Sequence, residues 1–278
     1  MALENTSRDG RLDFDTAINQ LIRANYTPRD PATGKPTRQL TAAEIQSYRG
    51  QVNEEEVTQG YLQLMAVLSP QRSQIQFAVV DTQQVSGSPV TPLSRLLTMQ
   101  DSFLISSISY HLIDYQFTGG SLQNPDFTSG TRWMPITYTA PWHNNSIAVQ
   151  MDNGCDMFWQ GAFLQLQVQK RVLIPYLDCM RFYKAPIAQE TPSFPVPSIY
   201  MPGQQNSMDM SCDTFNFVQP NIVIGGGRTN NLYLNLAANI PATIAPFNIS
   251  GYGIGETFVF MACVFMRGIL MQNSTTVK

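Results

Sequence analysis

The chain has 278 residues, a formal net charge of -3 and no run of basic residues longer than Lys170-Arg171. A nucleic-acid groove needs clustered Lys and Arg to displace counterions, so this composition argues against direct nucleic-acid binding. The first residues carry no cationic-then-apolar signal sequence, and the longest apolar run, 258–266, is too short to cross a bilayer.

Charge is distributed unevenly along the chain. Residues 1–73 hold 17 charged side chains, whereas the remaining 205 residues hold only 20. Free monomers usually carry charge on about a quarter of their residues, which keeps them soluble and apart. The long remainder is instead rich in Gln, Asn, Ser and Thr, and interface cores are known for losing charge and gaining aromatics, Met and Arg. The composition therefore predicts an assembly subunit whose surface is covered by neighbours.

The first quarter of the chain is predicted to be helical, with an extended break. Residues 11–23 indicate a short helix, because apolar residues at i, i+4, i+7 and i+8 form one stripe. Residues 25–39 are rich in Pro, Gly and charge, which is typical of an extended linker or arm. The stripe, which we call the N-terminal stripe, consists of Phe14, Ile18, Leu21 and Ile22.

Two further helices are predicted before Pro70. Thr41 and Glu44 have the spacing of a capping box, which favours a short helix through Tyr48. The acidic residues at 54–56 suit the first turn of a third helix, because the helix dipole is positive there. The apolar residues that follow keep helical spacing, and they are Val57, Tyr61, Leu64, Met65 and Leu68.

From residue 74 onward the apolar period changes to two, which is typical of strands. Clear alternation occurs in three places, at Ile75, Phe77 and Val79, at Leu164, Leu166 and Val168, and at Leu232, Leu234 and Leu236. Further strand candidates are 102–117, 132–139, 145–151, 213–224 and 255–269. Long connections rich in Pro and Gly separate them. The pattern predicts an all-β sandwich of roughly eight to ten strands with Greek-key or jelly-roll wiring.

Glutamines occupy the second face of the strand at 162–169. Gln165, Gln167 and Gln169 alternate with its apolar residues. An amide can pair with water or with a neighbouring subunit, and it carries no charge to desolvate. For a single strand, an ordinary polar solvent face is an equal alternative. The low charge density of the chain after residue 73 favours a surface that is partly desolvated in an assembly.

No constellation of residues indicates a catalytic, cofactor or metal site. The two histidines, His111 and His143, lack a second ligand at metal-binding spacing. The glycines at 225–227 lack the ending of a phosphate loop and precede a strand, which predicts a hairpin or bulged connection. The four cysteines are expected to be buried, reduced thiols. An enzyme would require Cys155 beside His143, or two carboxylates in one cleft.

Four stretches carry a recognisable order of motifs, with Asp-x-Phe opening a strand, an aromatic-Pro-Asn-like loop, an Arg-Phe…Pro…Gln segment and a Pro-Asn-Ile segment before the closing hairpin. They are QDSFLISSISYHLIDY (100–115), ITYTAPWHNNSIAV (136–149), WQGAFLQLQVQKRVLIPYLDCMRFYKAPIAQ (159–189) and FNFVQPNIVIGGGRTNNLYLNL (215–236). In this order the chain resembles virion structural proteins of phages and prophages from Bacteroidetes-type hosts. It is similar in particular to the major capsid proteins of tailless, membrane-containing (FLiP-like) icosahedral phages with single-stranded DNA genomes. Gln160-Gly161 stands where that family has Asn-Gly.

The resemblance implies a non-enzymatic jelly-roll capsid subunit that stands in a lattice, often as a trimer. That family uses two jelly rolls per chain, but two would need about sixteen strands of typical length. We therefore expect a single jelly-roll sandwich over 74–278 and a helical and extended arm over 1–73, with a compact double roll as the alternative. The implied partners are further copies of the chain, other virion proteins and an internal viral membrane, with no cofactor and no specific nucleic-acid sequence. The implied location is the virion, after synthesis in the host cytoplasm.

Assembly contacts are expected in both regions. The N-terminal stripe is expected to bury against a neighbouring subunit or the inner layer of the virion, since an arm that orders on assembly buries much surface per residue. Trp142, Arg228 and the 192–207 loop are expected lattice contacts. The alternative function is a receptor- or glycan-binding spike or vertex protein, which would expose Trp142 or Trp159 between polar side chains.

Overall fold

The described part of the chain is mostly β-strand. A computed structural model describes residues 14–30, 32, 35–50, 57–68, 71–83, 94–117, 120–121, 124–125, 132–136, 156–183, 215–240 and 257–274. The helices there are α1 (Phe14–Tyr26) and α2 (Ala42–Arg49), with short 3-10 helices at Asp156–Phe158 and Cys179–Phe182. The strands are β1 (Val57–Val67), β2 (Gln74–Phe77), β3 (Ser102–Phe117), β4 (Gly120–Ser121), β5 (Asn124–Pro125), β6 (Arg132–Ile136), β7 (Phe163–Val168), β8 (Arg171–Asp178), β9 (Asn216–Gly225), β10 (Asn230–Asn235) and β11 (Thr257–Met271).

The first two helices form where the sequence predicts them. α1 carries the N-terminal stripe and extends to Tyr26. α2 begins after Thr41, whose side-chain oxygen accepts from the Glu44 N–H at 3.3 Å, while the Glu44 carboxylate accepts from the Thr41 N–H at 2.9 Å. The predicted capping box is thus confirmed. Hydrogen bonds from Arg38 and then from Thr41 lower the pKa of Glu44 to about 2.

The third predicted helix, over 53–68, is wrong where the structure describes it. This segment contains β1, which pairs antiparallel with β11 along its whole length. Every second residue of a strand faces the same side, and Leu62, Leu64 and Ala66 all enter the main core. The apolar run at 64–68 fits either period, so pairing with a distant strand decides the outcome.

The larger sheet has five strands, all in antiparallel pairs. Its order is β1, β11 and β3, after which β9 pairs with the first half of β3 and β6 with its second half. A bulge between Arg267 and Gly268 shifts the register of β11 against β3. A Cβ on Gly268 would lie 1.7 Å from the Leu104 carbonyl oxygen, so this close approach requires glycine.

The smaller sheet has four strands in the order β2, β10, β7 and β8. The predicted alternation in β7 and β10 is confirmed, since Leu164, Leu166, Leu232 and Leu234 are all buried. β8 is absent from the predicted strands. Its sequence contains Pro175 and does not alternate regularly between apolar and polar residues. Its pairing with β7 is correspondingly irregular, with two register shifts.

The remaining strand predictions fare well where they can be compared. β3 has the predicted bounds, Ser102–Phe117. β9 and β11 confirm the candidates at 213–224 and 255–269, with ends shifted by a few residues. β6 accounts for the described part of the candidate at 132–139. The candidate at 145–151 lies outside the described residues.

The two sheets pack face to face through one core. It combines inward residues of β1, β3, β9 and β11 with inward residues of β2, β7, β8 and β10. Its largest fully buried side chains include Trp159, Tyr110, Phe77, Phe103 and Phe182. Two sheets buried against each other in this way form a β-sandwich, which agrees with the predicted fold class.

The two helices cover part of the outer face of the larger sheet. Ile18, Leu21 and Ile22 of the N-terminal stripe are buried in one cluster with Leu104 of β3 and with residues of β11. The prediction that a neighbouring subunit buries these three side chains is thereby corrected, because the chain's own sheet already does so. The side chain of Phe14 lies outside the described residues.

Elements before residue 74 are in contact with the sandwich. β1 forms one edge of the larger sheet among the described strands. Tyr26 of α1 stacks on Tyr48 of α2, with ring centroids 4.6 Å apart, and both tyrosines pack against the cluster beneath the helices. The division into an arm over 1–73 and a sandwich over 74–278 stays a prediction.

Candidate assembly interface

The outward faces of β2, β7 and β10 in the smaller sheet carry side-chain amides and a tyrosine instead of charges. Burial alternates strictly along β7 and β10, so the residues between the core leucines point away from the core. The register places them opposite residues of β2 that do the same. This group, which we call the amide face, consists of Gln74, Gln76, Gln165, Gln167, Asn231, Tyr233 and Asn235.

Members of the amide face pair with each other across neighbouring strands. Gln74 Nε2 donates to Asn235 Oδ1 at 2.8 Å, and Gln76 Nε2 donates to Asn231 Oδ1 at 3.1 Å. Gln83 Nε2 donates to the same Asn231 oxygen at 3.4 Å. Each cross-strand pair contributes only about 0.2–1 kcal/mol. The more important property is that neutral amides can be covered by another protein without stranding a charge.

Exposed apolar side chains border this face along β8. Val172 is 47% exposed, Tyr176 is 58% exposed, and Met180, in the 3-10 helix that follows β8, is 42% exposed. The Tyr176 ring stacks on Phe163 of β7 with centroids 4.7 Å apart. Phe163 in turn lies opposite Asn235 of the amide face. We call Val172, Tyr176 and Met180 the apolar edge.

Other exposed apolar side chains in the described part of the chain are isolated from one another. Tyr61 lies beneath the Arg95 guanidinium, whose carbon is 4.7 Å from the ring centroid. Phe217 on β9 and Met99 before β3 are the remaining large examples. Single apolar residues at a surface are normal. Within the described residues, the apolar edge is thus the place where apolar exposure adjoins an uncharged face.

The apolar edge is absent from the sequence-based list of contacts. Val172 and Tyr176 lie in β8, a strand that the period of two does not reveal. A signal was present, since the whole of β8 falls within the stretch 159–189 that carries the family resemblance. The sequence alone does not show that Pro175 lies within a strand instead of ending it.

Arg228 is the predicted lattice contact that the structure describes most fully. It lies in the turn between β9 and β10, which belong to different sheets, so the hairpin predicted for the glycines at 225–227 is wrong and the turn leads from one sheet to the other. Its Nη2 donates to the Ala24 carbonyl oxygen in the last turn of α1 at 2.8 Å. A cation at a helix C-terminus is favourable because unsatisfied carbonyls and the negative end of the dipole lie there. Its role between copies stays a prediction.

Three other predicted contacts or platforms have different outcomes. Trp159 is fully buried in the main core, with its ring edge-on to Tyr183 at 5.6 Å. It is therefore not the exposed sugar platform that the spike hypothesis requires. Trp142 and the 192–207 loop lie outside the described residues.

The described thiols and imidazole are buried. Burial raises the pKa of both Cys179 and Cys263, which disfavours the nucleophilic thiolate. Burial also lowers the pKa of His111 to about 4, and its Nδ1 lies 3.4 Å from Ser109 Oγ. Among the described residues, no group of three or more His, Cys, Asp or Glu side chains could hold a metal ion. Cys155 and His143 lie outside them.

Neither described helix is long and apolar enough to span a membrane. Comparison of the chain with protein-family models, with curated proteins and with solved structures finds no match in any of the three.

Proposed function

We propose that the chain is a single jelly-roll capsid subunit that assembles with copies of itself into an icosahedral virion shell. Three observations support the proposal. The first and most important is the order in which the strands pair. The second is the uncharged amide face with its apolar edge. The third is the resemblance of residues 100–236 to capsid proteins of tailless phages.

A jelly roll is a long antiparallel ribbon of four strand pairs that wraps into two sheets. Without the short β4, β5 and β6, eight strands remain in the described part. The first then pairs with the eighth, the second with the seventh, the third with the sixth and the fourth with the fifth. Pairing of the eighth strand with the third, and of the seventh with the fourth, completes the two sheets. This order supports one roll in preference to two, and jelly rolls are common in viral capsids.

The surface chemistry agrees with this architecture. A subunit that is surrounded by neighbours needs faces that can be desolvated at a low cost in free energy. The amide face has no charge to desolvate, and the apolar edge gains free energy when water leaves it. Interface centres have the same chemistry, with few charges and with aromatic and Met side chains. Contacts between copies are therefore proposed at this side of the smaller sheet.

The first test is the size of the purified protein and of two matched variants, measured by analytical ultracentrifugation and negative-stain electron microscopy. Wild type is expected to form trimers or larger shells. Tyr176→Lys should weaken association about tenfold or more, because it buries a charge between copies. Phe217→Lys, an equally exposed aromatic on the larger sheet, should leave association unchanged.

Thermal unfolding of the unassembled protein separates assembly from folding. Both substitutions are at exposed positions, so Tm should change by less than about 2 °C. A wild-type protein that stays monomeric at high concentration would contradict the proposal. Equal loss of assembly in the two variants would remove the apolar edge from it.

A glycan-binding spike or vertex protein is the second candidate. The stacked rings of Phe163 and Tyr176 beside Gln and Asn side chains favour it, because aromatic faces flanked by polar groups suit sugars. Glycan-array binding that is lost in Tyr176→Ala, in a protein that forms no shells, would select this function over the capsid.

A further inference from the structure

A pocket of ≈ 300 Å³ with a mixed polar and apolar lining lies where α1 ends, β3 begins and β11 has just ended. Its lining includes Asn25, Ser102, Gly225, Arg228 and Ser274. These residues come from four separate parts of the chain. The pocket lies beside the turn that leads into β10, and neither the amide face nor the apolar edge includes its lining residues.

Arg228 brings positive charge into this pocket at some cost. Burial, and then the nearby charge of Arg29, lowers the pKa of Arg228, although an arginine keeps its proton. One guanidinium nitrogen donates to the Ala24 carbonyl. Among the described residues Arg228 forms no ion pair, and the carboxylate of Asp101 accepts instead from the Asn273 N–H at 3.0 Å. Among the described residues, the guanidinium makes no other hydrogen bond, which leaves further donors for a ligand.

The hydroxyl groups of the pocket are occupied with each other. Ser102 Oγ donates to Asn25 Oδ1 at 3.1 Å and lies 2.7 Å from Ser274 Oγ. Ser274 Oγ also donates to the Gln100 carbonyl at 3.3 Å. Asn25 Nδ2 is thus a buried donor without an acceptor among the described residues, which costs free energy.

One glycine of the turn creates the space for this arrangement. A Cβ on Gly226 would lie 1.7 Å from the Thr98 carbonyl oxygen, so the turn packs directly on the backbone before β3. Residue 225 lies beside the same side chains, but a Cβ there would make only ordinary contacts, 3.6 Å from Ser102 Oγ and 3.8 Å from the Arg228 side chain, so only Gly226 of these two requires glycine for its packing. The turn can thus place Arg228 across the pocket toward α1.

We propose that this pocket binds a small organic carboxylate, with the Arg228 guanidinium as its ion partner and Asn25 Nδ2 as a second donor. The planar guanidinium fork matches the two oxygens of a carboxylate. The inference is independent of the proposed capsid function and concerns the isolated subunit.

The test is a titration with sodium acetate against sodium chloride at constant ionic strength, followed by amide chemical shifts in NMR spectra. Acetate should give saturable shifts near the pocket, and chloride should not. Arg228→Gln should weaken acetate binding about tenfold or more, since an ion pair is lost. Arg95→Gln, at a cation outside the pocket, should leave the affinity unchanged.

A second variant keeps the proposal testable if Arg228→Gln does not fold. Asn25→Asp replaces the unpartnered amide nitrogen with oxygen and supplies an internal carboxylate to Arg228. It should raise Tm and abolish acetate binding. Absence of saturable shifts in wild type, or equal affinity in wild type and Asn25→Asp, would overturn the proposal.

Discussion

The two sheets of the sandwich share one core but differ in their second face. In β3 and β11 of the larger sheet, consecutive residues are buried, because the smaller sheet covers one face and α1, α2 and further buried clusters lie on the other. In β7 and β10 of the smaller sheet, burial alternates, and the uncovered face is built from amides. Strands covered on both sides carry near-continuous apolar runs, and strands covered on one side alternate. The comparison teaches that, among the described strands, the sheet face left without a cover is the one built from neutral amides, which is where the proposed contacts between copies lie.

The largest expected effect is at the centre of the larger sheet. Gly268→Ala should prevent stable folding, at a cost of at least about 4 kcal/mol, because its Cβ would meet a backbone oxygen that cannot move independently. Gly60→Ala is the matched control, since a Cβ there meets Leu270 Cβ at an ordinary 3.5 Å. Urea unfolding measures both. Similar free energies of unfolding for the two variants would show that β3 and β11 can move apart enough to accept a Cβ at residue 268.

The smaller sheet offers a direct comparison between its two faces. Leu166→Ala removes a fully buried side chain and should lower the free energy of unfolding by about 3 kcal/mol. Gln165→Ala, next to it but on the amide face, should change it by less than about 0.5 kcal/mol. Chemical denaturation of the unassembled protein provides both values. A large effect of Gln165→Ala would mean that the amide face serves folding and not partners.

The smallest of the expected effects is on pH dependence and belongs to His111 on the outer side of β3. Its folded pKa of about 4 lies below the ordinary value of 6.5, so the unfolded state binds the proton more readily. The stability that comes from keeping the imidazole neutral and buried is fully present above the unfolded pKa, and it is lost as pH falls toward the folded pKa. Between about pH 7 and pH 5, stability should drop by about 2 kcal/mol. His111→Gln should flatten that part of the curve, and an unchanged curve would contradict the burial of the imidazole.

Local patterns were sufficient to predict much of the fold. The capping box of α2, the bounds of β3 and the alternation of β7 and β10 all depend on residues close together in sequence. β1 could not be predicted in the same way, because the apolar residues at 64–68 fit both a helix and a strand. Its state is decided by pairing with β11, near the other end of the chain.

The candidate interface and the pocket at the end of α1 are less predictable for a similar reason. The Gln residues of β7 indicated an uncharged face, but their pairing with β2 and β10 depends on register. The pocket joins Asn25, Ser102, Arg228 and Ser274, which no spacing rule connects. The sequence predicts Arg228 as a contact, but its hydrogen bond to the Ala24 carbonyl depends on how α1 packs on the sheet.

A protein that gathers copies of itself can build a closed shell or grow into an open fibre. Fibres commonly form when the edge strand of one copy continues the hydrogen bonding of the next. In the described smaller sheet, β8 at one edge carries Pro175, which has no N–H to donate, and β2 at the other edge is only four residues long. Both edges therefore resist continuation from copy to copy. In the proposed capsid subunit, association would therefore use side-chain contacts, whose geometry can close into a shell under symmetry.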